Sequence, residues 1–264
     1  METAEKFQDG EVCLKLKVLD LFSGIGGFSL GLERTGGFQT VAFCELDEYC
    51  NKVLKKHWPG VKNYGDITTA RFKESVDLVT AGFPCQDISY AGEGAGLAGE
   101  RSGLFWHILH TVRMVGLPKL LLENVAALLD RGMGAVLGSL AQIGYDTEWH
   151  CIQAADIGAP HLRDRVWIFA NPRQEPFAQP ILTEVDVSES RNRNKKQWRQ
   201  NRFFPEVASL CPEVLQGWLD RSKANGMDDG VSHRFYRLGQ CGNSVLPQIP
   251  ELMGYAVLRR LNAS

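Results

Sequence analysis

In DLVTAGFPCQDIS (77–89) an apolar run stops at Gly-Phe-Pro-Cys-Gln, so a buried strand delivers Cys85 to a proline-stiffened loop. A cysteine in such a place is a small buried hydrophobe, a metal ligand or a nucleophile. The seven cysteines (Cys13, Cys44, Cys50, Cys85, Cys151, Cys211 and Cys241) include no C-x-x-C pair, which argues against a structural zinc site; their odd number argues against a disulfide framework. The neighbours of Cys85 favour the nucleophile over the core filler. Ligands of an open α/β sheet bind at the carboxyl ends of its strands. The segment that follows, ISYAGEGAGLAGERSG (88–103), is glycine-rich and poor in bulky apolar side chains, as a flap that closes over a substrate is. A second strand-like run, KLLLENV (119–125), ends in Glu123-Asn124-Val125. A carboxylate emerging from KLLL at that edge has no solvation reason to be there; the plainer alternative is a helix cap. In RDR, Arg163 and Arg165 stand at alternate positions, so their side chains share one face of an extended segment. Their planar forks suit a carbonyl oxygen or a phosphate; the plainer alternative is a surface ion pair with Asp164 or a glutamate.

A second constellation suits a nucleoside. DLFSGIGG places a strand before a glycine turn before a helix, but Gly24, Gly26 and Gly27 run into Phe28, Ser29 and Leu30, so G-x-G-x-x-G is not met. No helix start is clearly built for a pyrophosphate. The glycines still let a ligand approach the backbone closely. Glu45 ends the next strand, where a carboxylate accepts hydrogen bonds from ribose hydroxyls. Asp66, in Gly-Asp-Ile, ends a weakly marked strand and can accept from an adenine amino group. A nucleoside pocket without a phosphate cradle fits S-adenosylmethionine better than NAD.

The elements that must hold these groups alternate in type. Strands are expected at KVLDLF (17–22), TVAFCEL (40–46), DLVTAGF (77–83), KLLLENV (119–125) and RDRVWIFA (163–170), with a weak one before Gly65. Helices are expected at GGFSLGLERTG, DEYCNKVLKKHW, SGLFWHILHTVRMVG (102–116), GAVLGSLAQIG (134–144) and the terminal LPQIPELMGYAVLRRLN. Such alternation implies an α/β fold, a mostly parallel sheet with helices on both faces. The 264 residues, 44% of them apolar, suffice for one large domain plus a small appendage. The net charge of −2 gives no global nucleic-acid signal, so any basic surface is local. One such run exists: RNRNKKQWRQNR (191–202) holds six basic residues and no acidic one. The polar start METAEKFQDGE has no signal-peptide character, and no apolar stretch approaches the roughly 18 residues of a membrane span, so a cytoplasmic protein is expected.

Taken together, these motifs resemble the cytosine-C5 DNA methyltransferases of bacteria and phages. DLFSGIGG resembles the family's cofactor loop, GFPCQ its nucleophile loop, ENV its glutamate motif, GAPHLRDRVW its arginine motif and GQCGNSVLPQ its C-terminal motif, all in the family's order. The resemblance implies a Rossmann-like S-adenosylmethionine-dependent catalytic domain built from residues 17–170 and 236–264. A short, irregular target-recognition region (171–235) and an N-terminal tail (1–16) accompany it. It implies that Cys85 adds to C6 of a cytosine flipped from the duplex, that Glu123 holds a proton against N3, and that Arg165 binds the base carbonyl or its phosphate. Arg163 would help place Cys85 or the target backbone, and Asn124 would fix the surroundings of the exocyclic amine. Gln86 and Ser89 are further expected substrate contacts. For the cofactor it assigns Phe22, Gly24 and Gly26 to the loop around methionine and adenosine. Glu45 takes the ribose, Asp66 and Ile67 the adenine, and Phe83 and Leu104 the pocket wall. Asn243 and Val245 return from the C-terminus, which docks the final helix beside the first strand.

The chain departs from the family in two places. His161 stands where glutamine is frequent, and the recognition region is very short, with only a faint echo of its usual motif in LQGWLD (215–220). The basic run lies where the family keeps its reader, so Arg191, Arg193, Lys195 and Lys196 are expected on DNA phosphates; the alternative is a solvated linker. Double-stranded DNA is the expected partner, with no metal and no membrane. The protein is expected to be a monomer associated with the nucleoid, and a cognate restriction endonuclease need not bind it directly. A tRNA cytosine methyltransferase is the nearest competing reading, disfavoured because the Cys-Phe-Thr tripeptide of that branch is absent. A catalytically decayed nucleic-acid binder is countered by the intact Cys85, Glu123 and Arg165, and a NAD oxidoreductase by the phosphate loop.

Overall fold

The computed structural model describes residues 15–83, 103–157, 163–174, 181–182, 185 and 244–262. Within them the strands are β1 (Leu16–Leu21), β2 (Phe38–Cys44), β3 (Lys62–Asn63), β4 (Leu78–Gly82), β5 (Lys119–Val125), β6 (Tyr145–Gln153) and β7 (Asp164–Pro172). They form one seven-stranded sheet in the order β3-β2-β1-β4-β5-β7-β6. Every pair is parallel except those made by β7, which runs antiparallel to both β5 and β6. The helices are α1 (Gly27–Arg34), α2 (Glu48–His57), α3 (Gly103–Met114), α4 (Leu128–Arg131), α5 (Met133–Gln142) and α6 (Gln248–Asn262).

Alternating residues of the strands feed two apolar clusters, one per face. Leu19, Leu21, Val79, Leu120 and Leu122 pack with Ile108 and Val112 of α3 and Val136 and Leu140 of α5. On the opposite face, Val18, Leu78, Leu121, Trp167 and Phe169 pack with Phe28 and Leu32 of α1 and Ile249, Met253 and Val257 of α6. Both faces of the sheet are therefore covered, as the α/β fold read from strand–helix alternation requires. The weak strand before Gly65 is β3. The nine-residue β6 is the one strand without a sequence counterpart. It lies at the sheet margin and all its residues but Tyr145 and Ile152 are half-buried or exposed, so YDTEWHCIQ lacks the apolar run that marks the others.

Local signals explain the helix ends that matter for function. At α2, the Asp47 side chain accepts the Cys50 N–H at 2.9 Å, and Lys55, Lys56 and His57 occupy the last turn. Helix α1 has no side-chain cap of its own; its N-cap is Gly26 in the left-handed region at φ 87°. The sheet supplies what is missing, because the buried Asp20 of β1 accepts both the hydroxyl and the backbone N–H of Ser29. Two α1 glycines then let the C-terminal segment close in. A Cβ at Gly27 would collide with the Val245 carbonyl oxygen, and one at Gly31 with the Pro247 carbonyl oxygen. Helix α6 consequently docks on α1, with Val18 of β1 in the same cluster, as the family resemblance implies.

Candidate active site

Strand order reverses direction at β1 and β4, the switch point where open α/β sheets bind ligands. Because β7 is antiparallel, its first residues lie at the same edge as the last residues of β5: Val125 pairs with Arg165, and Glu123 with Trp167. The paired register brings Glu123 and the arginines onto one face. Arg165 Nε stands 2.9 Å from Glu123 Oε1 and Arg163 Nη2 stands 3.8 Å from the same oxygen. The alternation in RDR thus converges both arginines on one carboxylate instead of a surface partner. Glu123 is 7% exposed. Burial pushes its carboxyl above the usual range, and the two arginines partly offset that push. Its other oxygen, Oε2, lies toward Gly82 at the end of β4, where Phe28 and Val245 also converge.

Arg163 has a second engagement. Its Nη1 donates to the Ser244 carbonyl at 2.5 Å, so one guanidinium ties the buried glutamate to the C-terminal segment. Arg165 Nη1 donates to the Asp164 carbonyl at 2.8 Å. Asn124, on the other face of β5, donates to the Phe83 carbonyl at 3.0 Å and accepts the Val125 N–H at 2.8 Å. Its amide is therefore engaged with the backbone that leads into Pro84 and Cys85. Cys85, Gln86, Ser89, Asn243, Arg191, Arg193, Lys195 and Lys196, with His161 and nearly all of the glycine-rich flap, lie outside the described residues.

The expected cofactor groups line the neighbouring edge. After β1 the chain turns through Phe22 (φ 51°), Gly24 (φ 54°) and Gly26 (φ 87°), all in the left-handed region. That conformation is unusual for an aromatic residue and marks a constrained turn. The Gly24 N–H donates to Glu45 Oε2 at 2.7 Å, and the Asp47 N–H donates to Glu45 Oε1 at 2.8 Å. Two backbone donors fix the carboxylate and leave lone pairs for hydroxyl donors. Asp66 is held by the Thr68 N–H at 2.8 Å, and this bond is the main cause of a carboxyl below its usual range. Ile67 and Phe83 are buried, with Phe83 tilted against Phe105 at 5.4 Å. Phe22 and Leu104 are partly buried on the same cluster. Val245 sits instead on the Glu123 side, against Gly27 and near Gly82.

Three participants have no part in the sequence reading. Asp20 is fully buried, accepts from Ser29 at 2.7 Å and from Thr80 at 2.8 Å, and is pushed up to about 7 by burial. Its signal was an acid inside the apolar KVLDLF. Leu46, directly after Glu45, is 70% exposed, a large apolar side chain left open to solvent. Asn63 bonds the backbone of Glu45 in both directions, which only the fold reveals. The Asp20 carboxyl also takes the Ser29 N–H, one of the first-turn donors of α1 that a phosphate would use. Among the described residues no group of three or more His, Cys, Asp or Glu could hold a metal, and no helix is long and apolar enough to cross a membrane.

Residues 16–233 match the family model of the C-5 cytosine-specific DNA methylases. Among curated proteins, the Type II methyltransferase M2.BsuMI of Bacillus subtilis is 40% identical over 182 residues, 66% of this chain and 46% of that protein. The Type II methyltransferase M.Sau3AI of Staphylococcus aureus is 36% identical over 268 residues, 91% of this chain and 63% of its own length. The chain spans about half the length of the curated relatives it matches. Among solved structures, the Dnmt2 methyltransferase of S. pombe superposes with a TM-score of 0.52 at 24% identity, covering 61% of this chain and 52% of that one. A Spodoptera frugiperda DNMT2 variant gives 0.53 at 20% identity, covering 62% and 52%. These two likenesses show the fold.

Proposed function

The chain belongs to the C-5 cytosine-specific DNA methylase family, and on that premise we propose that it methylates C5 of a cytosine flipped out of duplex DNA, working through a covalent bond from Cys85 to C6. The observation that carries this reading is the buried Glu123 at the end of β5, bracketed by Arg163 and Arg165 and paired in register with Gly82, three residues before Cys85. A carboxyl pushed toward its protonated form at a site also rich in arginine suits transient proton donation to a ring nitrogen.

Cytosine C5 is too weak a nucleophile to react unaided. The Cys85 thiolate adds to C6, and the displaced electron density reaches C5 and N3. Glu123 gives its proton to N3 as charge develops there. Arg165 keeps the carboxyl oriented and presents a cationic edge to the base carbonyl. Arg163 braces the same carboxyl against the Ser244 carbonyl, so we assign it to positioning and not to the target backbone. Asn124 holds the Phe83 carbonyl and with it the approach to Cys85. Once C5 carries the methyl group, water takes the C5 proton and the electrons of that C–H bond return through the ring. Cys85 is expelled as thiolate, and Glu123 recovers the proton from N3.

S-adenosylmethionine, when bound, supplies the electrophilic methyl group. The residues present suit it. Gly24 leaves open space where a Cβ would stand, and Glu45 retains lone pairs toward ribose hydroxyls. Asp66 is a half-buried acceptor for an amino group, and the exposed Leu46 offers an apolar surface to a flat base. Phe22, Ile67, Phe83 and Leu104 supply the apolar surroundings. The direct test is incubation with tritiated S-adenosylmethionine and, separately, duplex DNA, denatured DNA and tRNA. Label in duplex DNA, recovered as 5-methylcytosine, supports the reading; label confined to tRNA moves the substrate to RNA, and none in any acid removes the activity.

A further inference from the structure

Asn63, at the end of the two-residue β3, has an unusually complete set of partners. Its Oδ1 accepts the Glu45 N–H at 3.0 Å and the Gly65 N–H at 3.0 Å. Its Nδ2 donates to the Glu45 carbonyl at 3.0 Å and to Asn51 Oδ1 of α2 at 2.6 Å. Both amide hydrogens and both carbonyl lone pairs are therefore engaged. The orientation is forced, because the Glu45 and Gly65 N–H groups can only donate, so the oxygen must face them. Asn63 grips Glu45 by its N–H and its carbonyl, and it grips the residue immediately before Asp66. A second link reinforces the second grip: Cys44, the residue before Glu45, donates its thiol hydrogen to the Gly65 carbonyl at 3.1 Å. Among the described residues these side-chain-to-backbone bonds join the two loops, and β3 has only two residues with which to fix their spacing through the ladder.

We propose that Asn63 is the positioning residue that sets the separation between Glu45 and Asp66, and thereby the fit of the site to the adenosine end of the cofactor. This rests on the cofactor site proposed above. The residue type follows from the geometry. Aspartate would place a second carboxylate oxygen against the Glu45 carbonyl, alanine would release both loops, and glutamine adds a methylene to a span already filled. The Glu45 carboxylate is itself tied to Gly24, so the same side chain transmits to the glycine turn after β1.

The test is equilibrium binding of S-adenosylhomocysteine to the full chain and to Asn63→Ala, Glu45→Ala and the double variant, with melting temperatures measured alongside. Losing hydrogen bonds that align a binding group is expected to weaken Asn63→Ala about 10-fold. Because Asn63 acts through Glu45, the double variant should bind no more than about 2-fold worse than Glu45→Ala. Asn63→Asp, which keeps both acceptor contacts but sets an oxygen against the Glu45 carbonyl, should also bind more weakly than wild type; it carries the test if the alanine variant does not fold. Wild-type affinity in Asn63→Ala, or losses that simply add in the double variant, would overturn the proposal while leaving the cofactor site intact. Failure of the unaltered protein to bind S-adenosylhomocysteine would instead overturn the cofactor site, and this inference with it.

Discussion

Glu123 is held by two opposing influences, burial that favours its protonated form and two guanidinium groups that favour its anion. Closure of a base over it removes more water and favours the proton further. Glu123→Gln keeps the shape and loses the titratable proton, so it is expected to bind S-adenosylhomocysteine and duplex DNA normally. Turnover should fall by about 100- to 10,000-fold. Single-turnover methyl transfer measures this, and near wild-type rates would remove Glu123 from the chemistry. Asp20 makes a different prediction. Its folded carboxyl is raised from 3.8 to about 7, so the stability tied to its proton is fully present below about pH 3.8 and is lost as pH rises through about 7. Asp20→Asn lacks this titration. Between about pH 5 and pH 8 the wild type should lose melting temperature relative to the variant; parallel curves would mean that Asp20 keeps its charge throughout. At this scale the sequence showed the reactive groups but not their supports. Glu123 and the arginine pair stand out by type and spacing, whereas Asn63 looks like any polar loop residue until β3 brings it beside Glu45.

At the scale of elements, the site depends on how closely α6 approaches α1. Gly31→Ala would put a methyl group into the Pro247 carbonyl oxygen, which is backbone and has no rotamer to escape into. Alanine's helix preference of about 1 kcal/mol works the other way, but overpacking typically costs about 1–3 kcal/mol. The expected outcome is a lower melting temperature with slower methyl transfer, because the segment that carries Ser244 must shift away from Arg163 and loosen its brace on Glu123. An unchanged melting temperature would show that the seam is loose. The helices and buried strands were legible because their apolar periods and their glycine and aspartate end signals agree with the packing. Strand β6 was not, since a marginal strand with half-exposed residues carries no apolar run. Its Glu148 nevertheless accepts the Ile181 and Leu182 N–H groups at 2.7 and 2.8 Å, and both residues are buried in the α1/α6-side cluster. Part of the segment that the sequence assigns to target recognition therefore packs with the catalytic core.

Across the whole molecule, a net charge of −2 must be reconciled with the proposed binding to a polyanion. The basic run at 191–202 is the concentrated positive charge available for that task. Neutralising Arg191, Arg193, Lys195 and Lys196 together should weaken duplex binding. Each lost phosphate contact should reduce the log–log salt slope by about 0.9. An unchanged slope and affinity would make the run a linker. In the proposed reaction the chain as a whole extracts a cytosine and joins it covalently to Cys85, which requires the flipped base, the glutamate and the nucleophile to act together. The most direct measurement is trapping on duplex DNA containing 5-fluorocytosine in the presence of S-adenosylmethionine, read on a denaturing gel. Fluorine at C5 cannot leave as a proton does, so the wild type should form a complex that survives denaturation and Cys85→Ser should form none. Equal trapping by the serine variant, or no trapping by a wild type that methylates ordinary duplex DNA, would contradict the covalent mechanism.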